Sequence, residues 1–119
     1  MTARNKLTDA APYAVEQALL RLGADLRTAR LRRNLTLAQA AEKIGTGVRA
    51  VADAERGKPS TGIAVYAALL WAFDLLGQFD EVARPENDVA GQQHALARDR
   101  VRARAAGAAA AGSELSNDF

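Results

Sequence analysis

Apolar residues along this chain recur at three- and four-residue steps, and sustained apolar–polar alternation is missing, so the pattern predicts helices and no sheet. Val15, Leu19, Leu22, Leu26 and Ala29 fall at +4, +3, +4 and +3, a single stripe on a helix opened by Pro12 and Glu16. Gly23 interrupts the stripe at a cost of about 1 kcal/mol, so the segment reads as one helix or as two in line. It closes at Arg30-Leu-Arg-Arg-Asn34, with cations at the negative helix end and Asn as a stop. Thr36-Leu-Ala-Gln39 reads as a capping box, opening a short helix over 37–44 that stops at Gly45. A third helix runs from Val48 to about Arg56 and stops at Gly57-Lys-Pro59. Ser60 or Thr61 restarts a fourth, with Ile63, Tyr66, Leu70 and Phe73 on one face, ending near Gly77. A short stretch over 79–83 follows, then a helix over 87–104 carrying Val89, Gln93, Leu96 and Val101. The low-complexity run from Ala105 to Ser113 is expected to be frayed or disordered. The prediction is an all-α fold, a compact five-helix bundle over 13–84, with a C-terminal helix and Ala-rich tail over 85–119.

Composition narrows the chemistry. The 119 residues suit one domain with a core mostly of Leu, Ala and Val, because only six are aromatic. With no Cys there are no disulfides, thiolate metal sites or thiol nucleophiles, and the lone His94 makes neither a metal site nor a triad. Ser60, Ser113 and Ser116 have no base nearby. Asp80, Glu81, Glu86 and Asp88 lack the spacing and central Gly of a calcium loop and read as an acidic edge, solvated or docking a basic partner. The expectation is a protein that is not an enzyme and needs no cofactor or metal. Met1-Thr-Ala-Arg-Asn-Lys leads into Leu7-Thr-Asp without the apolar core of a signal peptide, and no apolar run is long enough to span a bilayer. A cytoplasmic, nucleoid-associated protein with no membrane partner is expected.

The charge is segregated. Residues 1–60 carry a balance of +5, residues 61–97 of −4 and residues 98–119 of +1. Arg outnumbers Lys thirteen to three, which favours planar, bidentate contacts to phosphates or bases. Arg27, Arg30, Arg32 and Arg33 read either as a solvated helix end or as contacts to a phosphate backbone. Arg98-Asp-Arg100-Val-Arg102-Ala-Arg104 reads as a solvated tail or as a second arm for phosphate or a partner.

The informative segment is Leu37 to Arg56. Two short helices joined by a tight turn must cross closely, which calls for small residues at set places: Ala41 within the first, Gly45 at the turn, Val51 and Ala54 on the buried edge of the second. Burying Val51 and Ala54 turns Arg49, Ala50, Asp53 and Arg56 outward, with Val48 and Ala52 at the margins. Glu55 reads as a structural ion-pair or capping residue. Trp71 reads either as core or as a partner or dimer surface, and Phe79 and Val82 share that ambiguity.

Leu22-Gly-x-x-Leu26-Arg-x-x-Arg30, Leu35-Thr36-Leu-x-x-Ala40-Ala41-x-x-Ile44-Gly45 and Val51-x-x-Ala54-Glu55-Arg56-Gly57 together resemble the Xre/Cro-type helix-turn-helix family, over roughly residues 22–76. The resemblance implies a Cro/C1-type repressor fold and a homodimer on a pseudo-palindromic operator in double-stranded DNA. Its DNA-binding positions fall at Thr36 and Gln39, at Thr46, Gly47, Val48, Arg49, Ala50, Ala52, Asp53 and Arg56, and at Arg32, Arg33 and Lys58 on phosphates. Arg49 is the one strong base reader, since its fork matches guanine O6 and N7. Leu37 departs from the family, which often has Gln there, and Asp53 stands where Arg, Lys or an amide is common. Ile63 to Phe73 and Pro85-Glu-Asn-Asp88-x-x-Gly91 resemble, more loosely, the HipB-like antitoxins, which implies a HipA-type kinase toxin as a second partner. The other function class is a protein-binding module that uses the helix-turn-helix only as a scaffold, which Asp53 and the acidic 74–88 stretch favour.

Overall fold

A computed structural model describes residues 5–117. Residues 1–4, the first part of the stretch read for a leader, and residues 118–119 lie outside the described residues. The chain divides into two units, one up to Asp80 and one from Glu81, where the sequence reading places its boundary after Arg84.

The first unit holds α1 (Lys6–Asp9), α2 (Tyr13–Arg32), α3 (Leu37–Ile44), α4 (Val48–Glu55), α5 (Ile63–Ala72) and α6 (Leu76–Phe79). The second holds a 3-10 turn (Pro85–Asn87) and α7 (Val89–Asn117). The described residues thus form seven α-helices, one more than the five expected over 13–84 and the C-terminal helix together. The sequence reading lacks α1, a single turn whose Asn5 cap accepts from the Leu7 N–H. It also places the stretch after α5 three residues too late.

The core of the first unit is Leu26, Ala29, Ala40, Ala41, Val51, Ala54, Tyr66, Leu69, Leu70 and Phe73. Two expected members are outside it. Val15 is exposed because it lies one turn beyond Leu19, against which the Gly57 turn packs. Ile63 is 69% exposed because Tyr66, Leu69, Leu70 and Phe73 share an arc of about 100° and Ile63 falls beyond its edge.

Four successive helices end in the same way. After α2, α3, α4 and α5 a residue with positive φ reverses the chain: Asn34 (56°), Gly45 (75°), Gly57 (67°) and Asp74 (60°). In each case the next N–H bonds back to a carbonyl five residues earlier: Leu35 to Arg30, Thr46 to Ala41, Lys58 to Asp53, Leu75 to Leu70. This is the Schellman closure, which satisfies carbonyls left over at a helix end. It stops α5 at Ala72, ahead of the expected Gly77, and isolates α6.

In the second unit the Asp88 carboxylate accepts from the Gly91 N–H and caps α7. The helix then runs through the Ala-rich stretch expected to be frayed or disordered and ends at Asn117. Among the described residues no helix is long and apolar enough to cross a membrane.

Candidate nucleic-acid interface

The α3–turn–α4 segment is built by local chemistry. The Thr36 hydroxyl accepts from the Gln39 N–H (3.1 Å) and the Gln39 side-chain oxygen accepts from the Thr36 N–H (2.9 Å), so the capping box forms at the start of α3. Both residues are exposed there, with the Gln39 oxygen committed to the cap. At the far end Gly45 turns the chain and Gly47 starts α4 in extended backbone without a side-chain cap. Thr46 is half-buried and Gly47 and Val48 are exposed, at the open amino end of the helix.

The seat of α4 is backbone on backbone. A Cβ on Gly23 would stand 2.6 Å from the carbonyl oxygens of both Ala54 and Glu55, and one on Gly57 would stand 2.5 Å from that of Leu19. Gly23 therefore marks no break: α2 is one helix, and the missing side chain is what admits the end of α4. Next to that contact the Arg30 guanidinium, 7% exposed, donates to both carboxylate oxygens of Glu55 (2.6 and 3.0 Å) and to the Leu35 carbonyl (2.8 Å). The hydrogen bond to Glu55 raises the Arg30 pKa further above its ordinary value, against the opposing effect of burial. Glu55 is thus the ion-pair residue the sequence suggests, and Arg30 is a structural one.

With Val51 and Ala54 fully buried, the opposite side of α4 is the open one. Arg49 is exposed and makes no hydrogen bond or ion pair among the described residues. Ala50 and Ala52 are half-buried at the margins. Asp53 does not stand free: its side chain is 17% exposed, bonded to Arg56 and 3.8 Å from the Lys58 ammonium. The hydrogen bond from Arg56, aided by the charges of Lys58, Arg56 and Arg49, holds the Asp53 carboxyl below its ordinary value. That lowered pKa makes the clamp a contribution present above the ordinary Asp range and lost as pH falls through the lowered value, so it is complete at neutral pH. The sequence alone makes Asp53 a bare carboxylate facing phosphate; three neighbouring cations offset it.

The arginines of α2 separate by face. In steps of about 100° per residue, Arg27 and Arg33 flank Arg30 by about 60° on either side and Arg32 lies roughly opposite. Arg27 shares a groove with Leu37, Ala52 and Arg56 and so borders the open face of α4. Arg33 points the other way, donating to the carbonyls of Ala29 (2.9 Å) and Phe73 (2.8 Å) and lying over the Phe73 ring. Arg32 is exposed in a hollow with Asp25, Thr28, Leu75 and Gln78, away from α4. Of the expected phosphate contacts, the structure brings Lys58 beside α4 and leaves Arg32 and Arg33 apart from it. Arg27, which the sequence groups with Arg30, Arg32 and Arg33 as a helix end or a contact to a phosphate backbone, is the exposed member of that set that borders the open face of α4.

Residues 21–83 match the profile of a helix-turn-helix domain, just over half of the chain. The chain belongs to the helix-turn-helix domain family. The domain is of the Xre/Cro-like, DNA-binding kind, and its two central helices are α3 and α4. No curated protein and no solved structure matches the chain.

Proposed function

We propose that this protein is a sequence-specific transcriptional repressor that lays α4 in the major groove and acts as a dimer on a pseudo-palindromic operator. The carrying observation is Arg49, exposed and unpaired on the open side of α4, with Arg27, Arg56 and Lys58 about it and the nearby carboxylate offset. Arg49 reads a guanine, Arg27 and Lys58 take phosphates, and the amino end of α3 approaches the backbone beside Thr36. A single strong reader on an eight-residue helix gives little affinity alone, which argues for two copies. The reading assigns no catalytic reaction and a cytoplasmic, nucleoid-associated place.

The test is a titration of duplexes selected from a random pool, followed by anisotropy on the selected and scrambled sites. Arg49→Ala should cost about 1–3 kcal/mol on the selected site and much less on the scrambled one. Arg27→Ala should flatten the log–log salt slope by about 0.9, whereas Arg33→Ala, whose guanidinium is spent on two carbonyls, should leave it in place. Equal loss on both duplexes from Arg49→Ala would reduce that residue to a phosphate contact and sink base readout.

A HipA-type kinase is proposed as a second partner, making the protein an antitoxin. The support is α5: its ten residues are all uncharged, and Trp71 stands 58% exposed, which decides against Trp71 as core and favours a protein-facing surface. Trp71→Ala should then weaken retention of the kinase encoded beside this gene without changing operator affinity. A scaffold that binds protein but not DNA predicts no effect of Arg49→Ala on any duplex. Its main support weakens with Asp53 clamped.

A further inference from the structure

The helix-turn-helix match ends at residue 83, and nothing in it accounts for the arginines of α7. Arg98, Arg100, Arg102 and Arg104 are all exposed, and none makes a hydrogen bond or ion pair among the described residues. A run of four unsatisfied guanidinium groups within seven residues, against the single carboxylate of Asp99, is a strong local field with no internal partner.

Their spacing sorts them. At about 100° per residue, Arg98 and Arg102 form one row one turn apart, and Arg100 and Arg104 form a second row about 200° away. Between the rows on one side lie Ala97, Val101 and Ala105; Asp99 lies on the other. A flat anionic surface meets one row at a time. A groove with a phosphate wall on each side meets both, and takes the uncharged Ala97–Val101–Ala105 face towards its floor with Asp99 turned out. The major groove of duplex DNA is about 12 Å wide, close to the roughly 10–12 Å diameter of a helix with its side chains.

We propose that α7 is a second DNA-binding element, lying in a major groove with one arginine row on each strand's phosphates. Between Ala97 and Ala105 it carries no base reader, since methyl groups are all that Ala97, Val101 and Ala105 offer the floor, so this segment adds affinity without adding sequence preference. The inference concerns residues outside the family match and does not need α4 to read bases.

The test uses the full chain and a random-sequence duplex, with anisotropy at several salt concentrations. Arg98→Gln with Arg102→Gln, and Arg100→Gln with Arg104→Gln, should each flatten the log–log salt slope by about 2, and all four together by nearly 4. Gln is close to Arg in helix propensity, so α7 should persist, which far-ultraviolet circular dichroism would check. The four Arg→Lys changes should keep the slope, because the charge remains. The same changes made on an Arg49→Ala background should give the same decrements, which separates this element from base readout by α4. If one pair carries the whole effect and the other none, the two-walled groove is wrong. If neither pair moves the slope, α7 does not touch DNA. A stronger effect of these pairs on binding to vesicles rich in anionic lipid than to duplex would assign the arginines to a membrane surface and overturn the proposal.

Discussion

α4 and α7 both bring arginine to the surface, and they are held in opposite ways. α4 has eight residues and is seated through its backbone, with Gly23 and Gly57 removing the side chains that would hold α2 away. α7 has 29 residues, and from Val89 to Ala111 only Gly91 and Ala95 are even half-buried. A two-turn helix is not stable alone, so tertiary packing supplies what α4 lacks. α7 relies on length and on alanine, the best helix former. The difference teaches where a substitution will be felt. Along the back of α4 it disturbs the fold before it disturbs binding; along α7 a change in binding is a change in binding.

The largest break in that comparison should come from Glu55→Ala. It leaves the Arg30 guanidinium buried without its carboxylate, and losing one member of a buried pair costs about 3–5 kcal/mol. Urea denaturation followed by circular dichroism would measure it; a loss under about 1 kcal/mol would mean the pair does not hold α4 in place. Gly57→Ala should cost about 2–4 kcal/mol, combining a left-handed backbone with a Cβ driven into the Leu19 carbonyl. Gly45→Ala is the control, since it has the same backbone sign and nothing within 4 Å of the added Cβ, and should cost only about 1–2 kcal/mol. Equal costs at the two positions would show that close docking contributes nothing. The smallest effect belongs to α7: Gly107→Ala should raise helicity through a local gain of about 1 kcal/mol and shift the main unfolding transition by less than about 0.5 kcal/mol. A large shift of that transition would mean that the exposed length of α7 contributes to the stability of the fold.

What was legible in the sequence lay within one helical turn of itself. The capping box at Thr36 and Gln39, the stops at Asn34, Gly45 and Gly57, and the inward Val51 and Ala54 all follow from short-range rules. Contacts across the fold were not legible in the same way. Gly23 looks like a flaw until Ala54 and Glu55 are placed against it, and Arg27 looks no different from Arg32 until α4 is seated on one side of α2. Asp74 carries no turn signal strong enough to outweigh the apolar run on both sides of it. In the Ala-rich stretch two rules competed: low complexity pointed to disorder, alanine's propensity to helix, and propensity prevailed.

The four helix closures bear on how fast the molecule reaches its fold. Each reversal, at Asn34, Gly45, Gly57 and Asp74, is decided by a hydrogen bond spanning five residues, before any distant segment need arrive. A search guided by such local reversals has a low contact order, and the unit up to Asp80 should fold in the microsecond-to-millisecond range of small helical domains. The seating of Gly23 against Ala54 and Glu55 joins segments far apart in the chain and belongs to the late part of that process. Crowding it should therefore quicken unfolding more than it slows folding, whereas a defect at the Gly45 reversal should do the opposite.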